Sequence, residues 1–410
     1  MTTRNSPKIL RRVFALVRLA LVGALGLVLA ASAGAMPAIN GLGPRDALLV
    51  LDPSGRVVWS HNPDQAMVPA STLKILTSLA ALQTLGADYR FPTDFLLDAE
   101  DNLVIKGYGD PLLVSEVIAG IAQRLTSLLP HDVNHILLDT TYFQGPLTIP
   151  GVSTTANPYD APIGALCANF NTVFFTHAGG RLQSAEEQTP LLPMVMPRIR
   201  RSGLQEGRIV LSHRGGEATL YAGRLFRYFL EKEGLVVRGE VRVAPDSARQ
   251  AHLILHQLSP YALPQVVQRL LEYSNNFTAN QLLMAMGAQR YGPPATLEKG
   301  VQALRGYAVD EIGIQKGVFV EGSGISRLGR LSVRDMTAVL ARFLPYHDLL
   351  TYKDREYFKT GTLKGVRSRA GYIEVHPGEF YRFALFRNQP DKFTAPVMRQ
   401  IRHALFGLHR

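Results

Sequence analysis

Ser71 and Lys74 stand three residues apart in the run STLKILTSLAALQTLGAD, where Lys74 is the only charge before Asp88. The run is apolar around nearly its whole circumference, the pattern of a buried helix rather than a surface one. A lysine in such a helix is costly unless it has a purpose or a partner. At i, i+3 its amine shares a face with the Ser71 hydroxyl. Desolvation lowers a lysine's pKa, so the amine can act as a base toward that serine. Ser71 is therefore a candidate nucleophile and Lys74 its base. Two later patterns supply what such a pair lacks. Ser274-Asn275-Asn276 is an S-x-N at an expected helix start, and Lys359-Thr360-Gly361 is a K-T-G inside an expected strand. The Ser274 hydroxyl can relay a proton to a leaving amine, and the Asn276 amide can hold a substrate peptide group. Lys359 and the hydroxyls of Thr360 and Thr362 can bind a carboxylate. Gly361 permits close approach of a substrate strand. Backbone N–H groups of Ser71 and Thr362 can face a developing oxyanion.

The elements that must position these groups can be read from patterning. Residues 47–52 and 56–61 are short β-type runs around Pro53-Ser54-Gly55, a hairpin signal. The helix opening at Ser71 comes next, with Pro69 just ahead of it. Between about Phe91 and Ala251, short β-like runs (95–97, 102–106, 135–139, 172–176 and 208–211) alternate with Gly- and Pro-rich turns. Two helices, near 113–129 and 222–233, interrupt them. A strand at 253–257 and helices at 261–272, after Ser274 and at 333–343 lead into three strands at 357–362, 370–375 and 381–387. A helix over 395–408 closes the chain. This order predicts an α+β fold, a mostly antiparallel sheet flanked by helices.

Each motif alone is a weak signal, and the order S-x-x-K, S-x-N, K-T-G on suitable elements is a specific one. The triple is shared by penicillin-binding proteins and serine β-lactamases. The likeness extends to VPASTLKILTSLAAL, GYGDPLL, LLDTTYF, NPYDAPIGALCANFNTV, EGSGISRLGRLS and FKTGTLKGVRSRAGY. On these segments the chain resembles the class C, low-molecular-mass penicillin-binding proteins of the D-alanyl-D-alanine carboxypeptidase/endopeptidase family. The resemblance implies a penicillin-recognising domain (36–90 and 251–410) interrupted by a β-rich insertion at 91–250. It also implies an acyl-enzyme on Ser71, with peptidoglycan stem peptides and β-lactams as ligands. Asn275 and Glu321 both stand where the family commonly has Asp. A β-lactamase on the same fold is the rival enzyme reading, although no E-x-x-L-N segment of the class A kind is present. A non-catalytic peptidoglycan-binding protein is the other.

The ends and the composition bound the rest. Arg4, Lys8, Arg11, Arg12 and Arg18 precede an apolar stretch at 19–31 and small-x-small sites at 31–35. This reads as a secretory signal peptide (1–35) rather than a membrane anchor, and so as export to the periplasm or envelope exterior. Of the formal charge of +11, five cations lie in that segment, leaving 39 basic against 33 acidic side chains. No basic cluster is interleaved with aromatics, so nucleic acid is not an expected partner. The lone Cys167 sits in an apolar run and reads as a small buried hydrophobe. No cofactor or metal is expected. The pairs His131/His135 and His252/His256 lack an H-E-x-x-H frame, and Gly107-Tyr108-Gly109 reads as a turn. The apolar stripe Phe393, Val397, Ile401, Leu405, Leu408 is expected to pack on the sheet, with peripheral membrane contact as the alternative. Oligomeric state is not legible.

Overall fold

The computed structural model describes residues 37–390 and 392–408; the expected signal segment lies outside the described residues. In chain order the elements are β1 (Asp46–Leu51), β2 (Val57–His61), α1 (Leu73–Leu85), β3 (Pro92–Leu97), β4 (Leu103–Gly107), α2 (Ser115–Leu128) and β5 (Ile136–Asp139). Next come β6 (Thr172–Ala178), β7 (Arg181–Ser184), α3 (Met196–Ser202), β8 (Glu206–Val210), α4 (Glu217–Lys232), β9 (Val241–Val243) and β10 (His252–Leu258). The chain continues with α5 (Leu263–Tyr273), α6 (Asn276–Tyr291), α7 (Leu297–Tyr307), α8 (Val333–Phe343) and β11 (Thr351–Lys353). It ends with β12 (Glu356–Leu363), β13 (Val366–His376), β14 (Glu379–Arg387) and α9 (Ala395–Leu408).

A six-stranded antiparallel sheet, in the order β11-β12-β13-β14-β1-β2, carries the K-T-G strand. Both of its faces are covered, which is why DALLVL in β1 is apolar without alternation. Ala47 and Leu49 join the core formed by α1, α5, α6 and α8, while Leu48 and Val50 face Val397, Ile401 and Leu405 of α9. Val397, Ile401 and Leu405 of the C-terminal stripe thus pack on the sheet, whereas Phe393, ahead of α9, is exposed, and the Leu408 side chain lies outside what is described. Leu73 through Leu82 of α1 are all buried, Lys74 among them, and so are Phe277 through Ala288 of α6. Among the described residues no helix is long and apolar enough to cross a membrane.

A five-stranded sheet, β10-β3-β4-β5-β9, and a three-stranded sheet, β7-β6-β8, occupy the middle of the chain around a second core. The pairs β4–β5 and β5–β9 are parallel, with α2 crossing over between β4 and β5. Strand β10, expected within the final portion, pairs antiparallel with β3 in this second sheet.

Three expectations change locally. Ser71 does not open the α-helix; it lies in a 3-10 turn, Ala70–Thr72, ahead of α1, and that turn still brings i and i+3 into line. Ser274 does not start a helix; it ends α5 in the left-handed conformation (φ +56°), and Asn275 caps α6 by accepting from Thr278 N at 3.0 Å. Helices α3 and α7 and strands β7, β9 and β11 are additions to the pattern read from sequence. The strands are three or four residues long and largely exposed, so no apolar alternation marks them. In α3 only Ile199 is buried, and α7 shows its start through Thr296, which accepts from Lys299 N at 3.2 Å.

Candidate active site

Lys74 is fully buried, and its ammonium nitrogen has three oxygen neighbours: Ser71 Oγ at 3.0 Å, Asn276 Oδ1 at 2.7 Å and the Ser323 carbonyl at 2.7 Å. Burial, and secondarily the positive charge of Lys359, pushes its pKa down to about 7, while Glu321 acts in the opposite direction. An amine held in this way is half neutral near pH 7 and lies within hydrogen-bond reach of a hydroxyl, so it can take that hydroxyl's proton. The elements that bring these groups together are the turn before α1, the α5–α6 junction and the loop ahead of α8.

Two backbone features hold the nucleophile's turn. Ala70, buried and directly before Ser71, has φ +48°, a conformation that costs a non-glycine residue about 1–3 kcal/mol. The hydroxyls of Thr72 and Ser368 donate to the Pro69 carbonyl at 2.7 and 2.6 Å, fixing the turn against β13. The neighbouring backbones approach so closely that only glycine fits. A Cβ on Gly361 would lie 2.2 Å from Ser368 Oγ and 2.7 Å from Ser71 N, and one on Gly324 would lie 1.9 Å from the Ala70 carbonyl oxygen. Gly361 therefore seats the K-T-G strand directly beside the backbone N–H of Ser71.

The K-T-G strand alternates. Lys359 and Gly361 are buried, and Thr360 and Thr362 are exposed on the other face. Lys359 Nζ donates to the Thr360 carbonyl at 3.1 Å, and burial lowers its pKa to about 8. A cleft of about 890 Å³ opens here, with Ser71, Ser274, Asn276 and Thr362 on its walls and Lys74 and Lys359 buried behind them. Thr360 shares a strand face with Thr362 but stands outside the cleft lining.

The opposite wall comes from the middle of the chain: Ser153, Thr155, Tyr159 and Asp160 line it. The Tyr159 carbonyl accepts from Asn276 Nδ2 at 3.1 Å, so the Asn276 amide is fixed at both ends, its oxygen on Lys74 and its nitrogen on this wall. Sequence reasoning missed Tyr159 because the contact is a main-chain carbonyl, to which any residue type could contribute.

Glu321 is a second omission in substance. It is noticeable in sequence only as a Glu ahead of Gly322-Ser323-Gly324. It is buried and accepts from Ser323 N and Oγ, both at 2.6 Å, and from Gly324 N at 2.7 Å. These bonds hold the Ser323 carbonyl against Lys74. Asn280 secures the same loop by accepting from Gly322 N at 2.8 Å, and Thr77 does so by donating to the Gly322 carbonyl at 2.7 Å. The Ser323 hydroxyl is tied to Glu321, in keeping with a turn rather than a second nucleophile.

Several other residues weighed for chemistry have structural partners. Cys167 is buried, and burial pushes its thiol up to about 12. His256 lies 2.6 Å from Asp94, and His135 Nδ1 accepts from Glu240 N at 2.9 Å.

A helix-flanked antiparallel sheet with a strand running beside a serine–lysine pair at a helix N-terminus defines the penicillin-recognising class of serine hydrolases. Within that class the chain belongs to the D-Ala-D-Ala carboxypeptidase 3 (S13) family, which it matches over residues 46–194 and 205–355. It is accordingly a serine-type D-Ala-D-Ala carboxypeptidase, a hydrolase. A D-alanyl-D-alanine carboxypeptidase of Actinomadura sp. (strain R39) is 24% identical over 438 residues, covering 86% of this chain and 79% of the relative. The D-alanyl-D-alanine carboxypeptidase DacB of Haemophilus influenzae is 23% identical, covering 81% and 83%. The crystal structure of penicillin binding protein 4 (dacB) from the same organism superposes with a TM-score of 0.70 at 20% identity, covering 91% of this chain and 96% of that one. A predatory endopeptidase of Bdellovibrio bacteriovorus in complex with an immunity protein gives 0.52 at 14% identity, covering 88% and 92%. At such identities these structural likenesses show a shared fold.

Proposed function

We propose that the chain cleaves peptidoglycan stem peptides after the penultimate D-alanine through an acyl-enzyme on Ser71. The observation that carries this reading is the fully buried Lys74 amine 3.0 Å from Ser71 Oγ. Neutral Lys74 takes the Ser71 proton as Oγ attacks the carbonyl carbon, and the negative charge forming on the carbonyl oxygen faces the N–H groups of Ser71 and Thr362. The C–N bond then breaks as the proton held by Lys74 is relayed through the Ser274 hydroxyl to the departing D-alanine nitrogen, which leaves Lys74 neutral again, and water later hydrolyses the ester. Asn276 aligns the substrate amide, while Lys359 and Thr362 take the terminal carboxylate, with Gly361 keeping that strand close to Ser71. Thr360, outside the cleft lining, is left out of this role. A β-lactam, whose leaving nitrogen stays tethered when its C–N bond opens, would be trapped as the ester on Ser71 before hydrolysis.

Export to the cell envelope, by the basic and apolar N-terminal segment, fits this substrate. The division into a peptidase unit and an insertion is supported by the separation of the six-stranded sheet and its core from the five- and three-stranded sheets and theirs, with β10 then counted with the insertion. Endopeptidase activity on cross-linked peptides breaks the same kind of bond and differs only in the group that leaves.

Mass spectrometry of muropeptides digested with the purified chain tests the proposal. Free D-alanine should appear from pentapeptides, and monomers should appear from cross-linked dimers if the cleft admits them. If neither product forms while the protein is folded, the proposal fails.

A further inference from the structure

Three consecutive residues ahead of β6, Asn169, Phe170 and Asn171, have a left-handed backbone, with φ of +49°, +58° and +53°. Asparagine reaches that region readily through local hydrogen bonds, whereas a bulky residue such as phenylalanine does not. A strained conformation persists only where its surroundings over-determine it. The two asparagines do this here, and both are buried. Asn169 Oδ1 accepts from Ser115 N and its Nδ2 donates to Ser115 Oγ, each at 2.9 Å, which pins the turn to the start of α2. Asn171 N donates to the Ala168 carbonyl at 2.8 Å, and the Asn171 carbonyl accepts from Leu211 N at 2.9 Å.

The turn presents Phe170 to α6. Its ring meets that of Phe277 edge to face, with centroids 6.2 Å apart and planes at 88°. Phe277 is buried and follows Asn276 directly in α6. A ring lodged against it fixes the rotation of the helix's first turn, and with it the direction of the Asn276 side chain. A second tie reaches the same amide. Asn171 Nδ2 donates at 2.8 Å to the carbonyl of Pro162, just beyond Tyr159, whose own carbonyl accepts from Asn276 Nδ2 at 3.1 Å. Between them Asp160 is buried and accepts from Ser153 N at 2.9 Å and from the Thr155 hydroxyl, which stiffens the segment. Both ties end on the residue whose Oδ1 accepts from Lys74 Nζ at 2.7 Å.

We propose that the strained turn Asn169–Asn171 positions the catalytic groups: Phe170 through Phe277, and Asn171 through the Pro162–Tyr159 segment, hold the Asn276 amide in register with Lys74. The inference rests on the proposed acylation of Ser71 and gives the middle of the chain a part in it. Neither Phe170 nor Asn171 lines the catalytic cleft, so both are positioning residues. A turn that only stabilised the fold would change how many molecules are active. A positioning turn changes how fast each of them reacts.

Acylation of the full chain by an excess of a chromogenic β-lactam separates the two, because the burst amplitude counts competent sites and the rate constant reports their alignment. Phe170→Gly removes the ring and leaves a residue at ease in a left-handed backbone. It should keep the amplitude and lower the rate constant about 10- to 100-fold. Phe170→Tyr, which keeps the ring, should react at the unaltered rate. An unaltered rate constant in Phe170→Gly, whatever its amplitude, would overturn the proposal, as would a Phe170→Tyr protein as slow as Phe170→Gly. If Phe170→Gly does not fold, Asn171→Gly, which cuts the tie to Pro162, is judged by the same change in rate constant. If the unaltered protein is not acylated, the reading of Ser71 has failed, and crystal structures of the unaltered and Phe170→Gly proteins judge the turn by itself. An Asn276 Oδ1 drawn out of hydrogen-bond reach of Lys74 Nζ would support the positioning role, and an unmoved amide would refute it.

Discussion

At the residue scale the central object is an amine that must be neutral to act. With the Lys74 pKa at about 7, acylation should rise with pH through that value and fall about tenfold per unit below it, as measured with a chromogenic β-lactam. Lys74→Met should cut acylation by about 10⁴-fold or more while circular dichroism shows the fold intact. Glu321 sets both place and charge. Its negative charge holds Lys74's pKa up, so Glu321→Gln should move the acid limb of the pH profile to lower pH. Released from its hold, the Ser323 carbonyl should also leave Lys74 less well placed, lowering the plateau rate by up to about 10²-fold. A plateau loss with no movement of the limb would leave Glu321 a purely structural role. Lys74 was legible in sequence because a lone charge in an apolar helix breaks a physical rule. The carbonyls of Ser323 and Tyr159 break none, so nothing in their side chains announces them.

At the element scale, a buried ionic anchor braces the six-stranded sheet. Arg387 lies 2.8 Å from Asp46, which also accepts from Gly43 N and Gln389. Burial would raise the Asp46 pKa, but these donors outweigh it and hold the carboxyl below its ordinary 3.8. Its contribution to stability is therefore complete above that value and lost as the pH falls through the lowered one. Asp46→Asn should flatten this part of an acid-unfolding curve. Arg387→Ala leaves the carboxylate buried and unpaired, and should cost about 3–5 kcal/mol in a denaturant titration. Elsewhere on the sheet, Ile401→Ala should cost about 2–5 kcal/mol by opening a cavity beneath α9. That α9 packs inward could be read from its apolar stripe. The short strands β7, β9 and β11 could not, since pairing with a neighbour rather than their own pattern makes them strands.

At the scale of the whole molecule, the middle of the chain forms one wall of the cleft, and its seam with α6 is buried. Gln281 Nε2 donates across that seam to the carbonyls of Gly109 at 3.2 Å and Gly164 at 2.9 Å, beside a cluster of Phe143, Ala165, Met284 and Ala288. Gln281→Leu removes the side-chain donor from both carbonyls, leaving that of Gly164 only the weak Cys167 thiol, and should cost about 1–3 kcal/mol in the same titration. Motif order made the peptidase portion legible, whereas the seam depends on residues 117 and 172 positions apart in sequence, with no local signature. All of this serves to hold one serine beside one lysine. The most direct test is peptide mapping by mass spectrometry after incubation with benzylpenicillin. One penicilloyl group should be found on the peptide containing Ser71, and none on Ser71→Ala protein or in Lys74→Met over the same interval. Absence of an adduct, or an undiminished adduct in Ser71→Ala, would contradict the assignment.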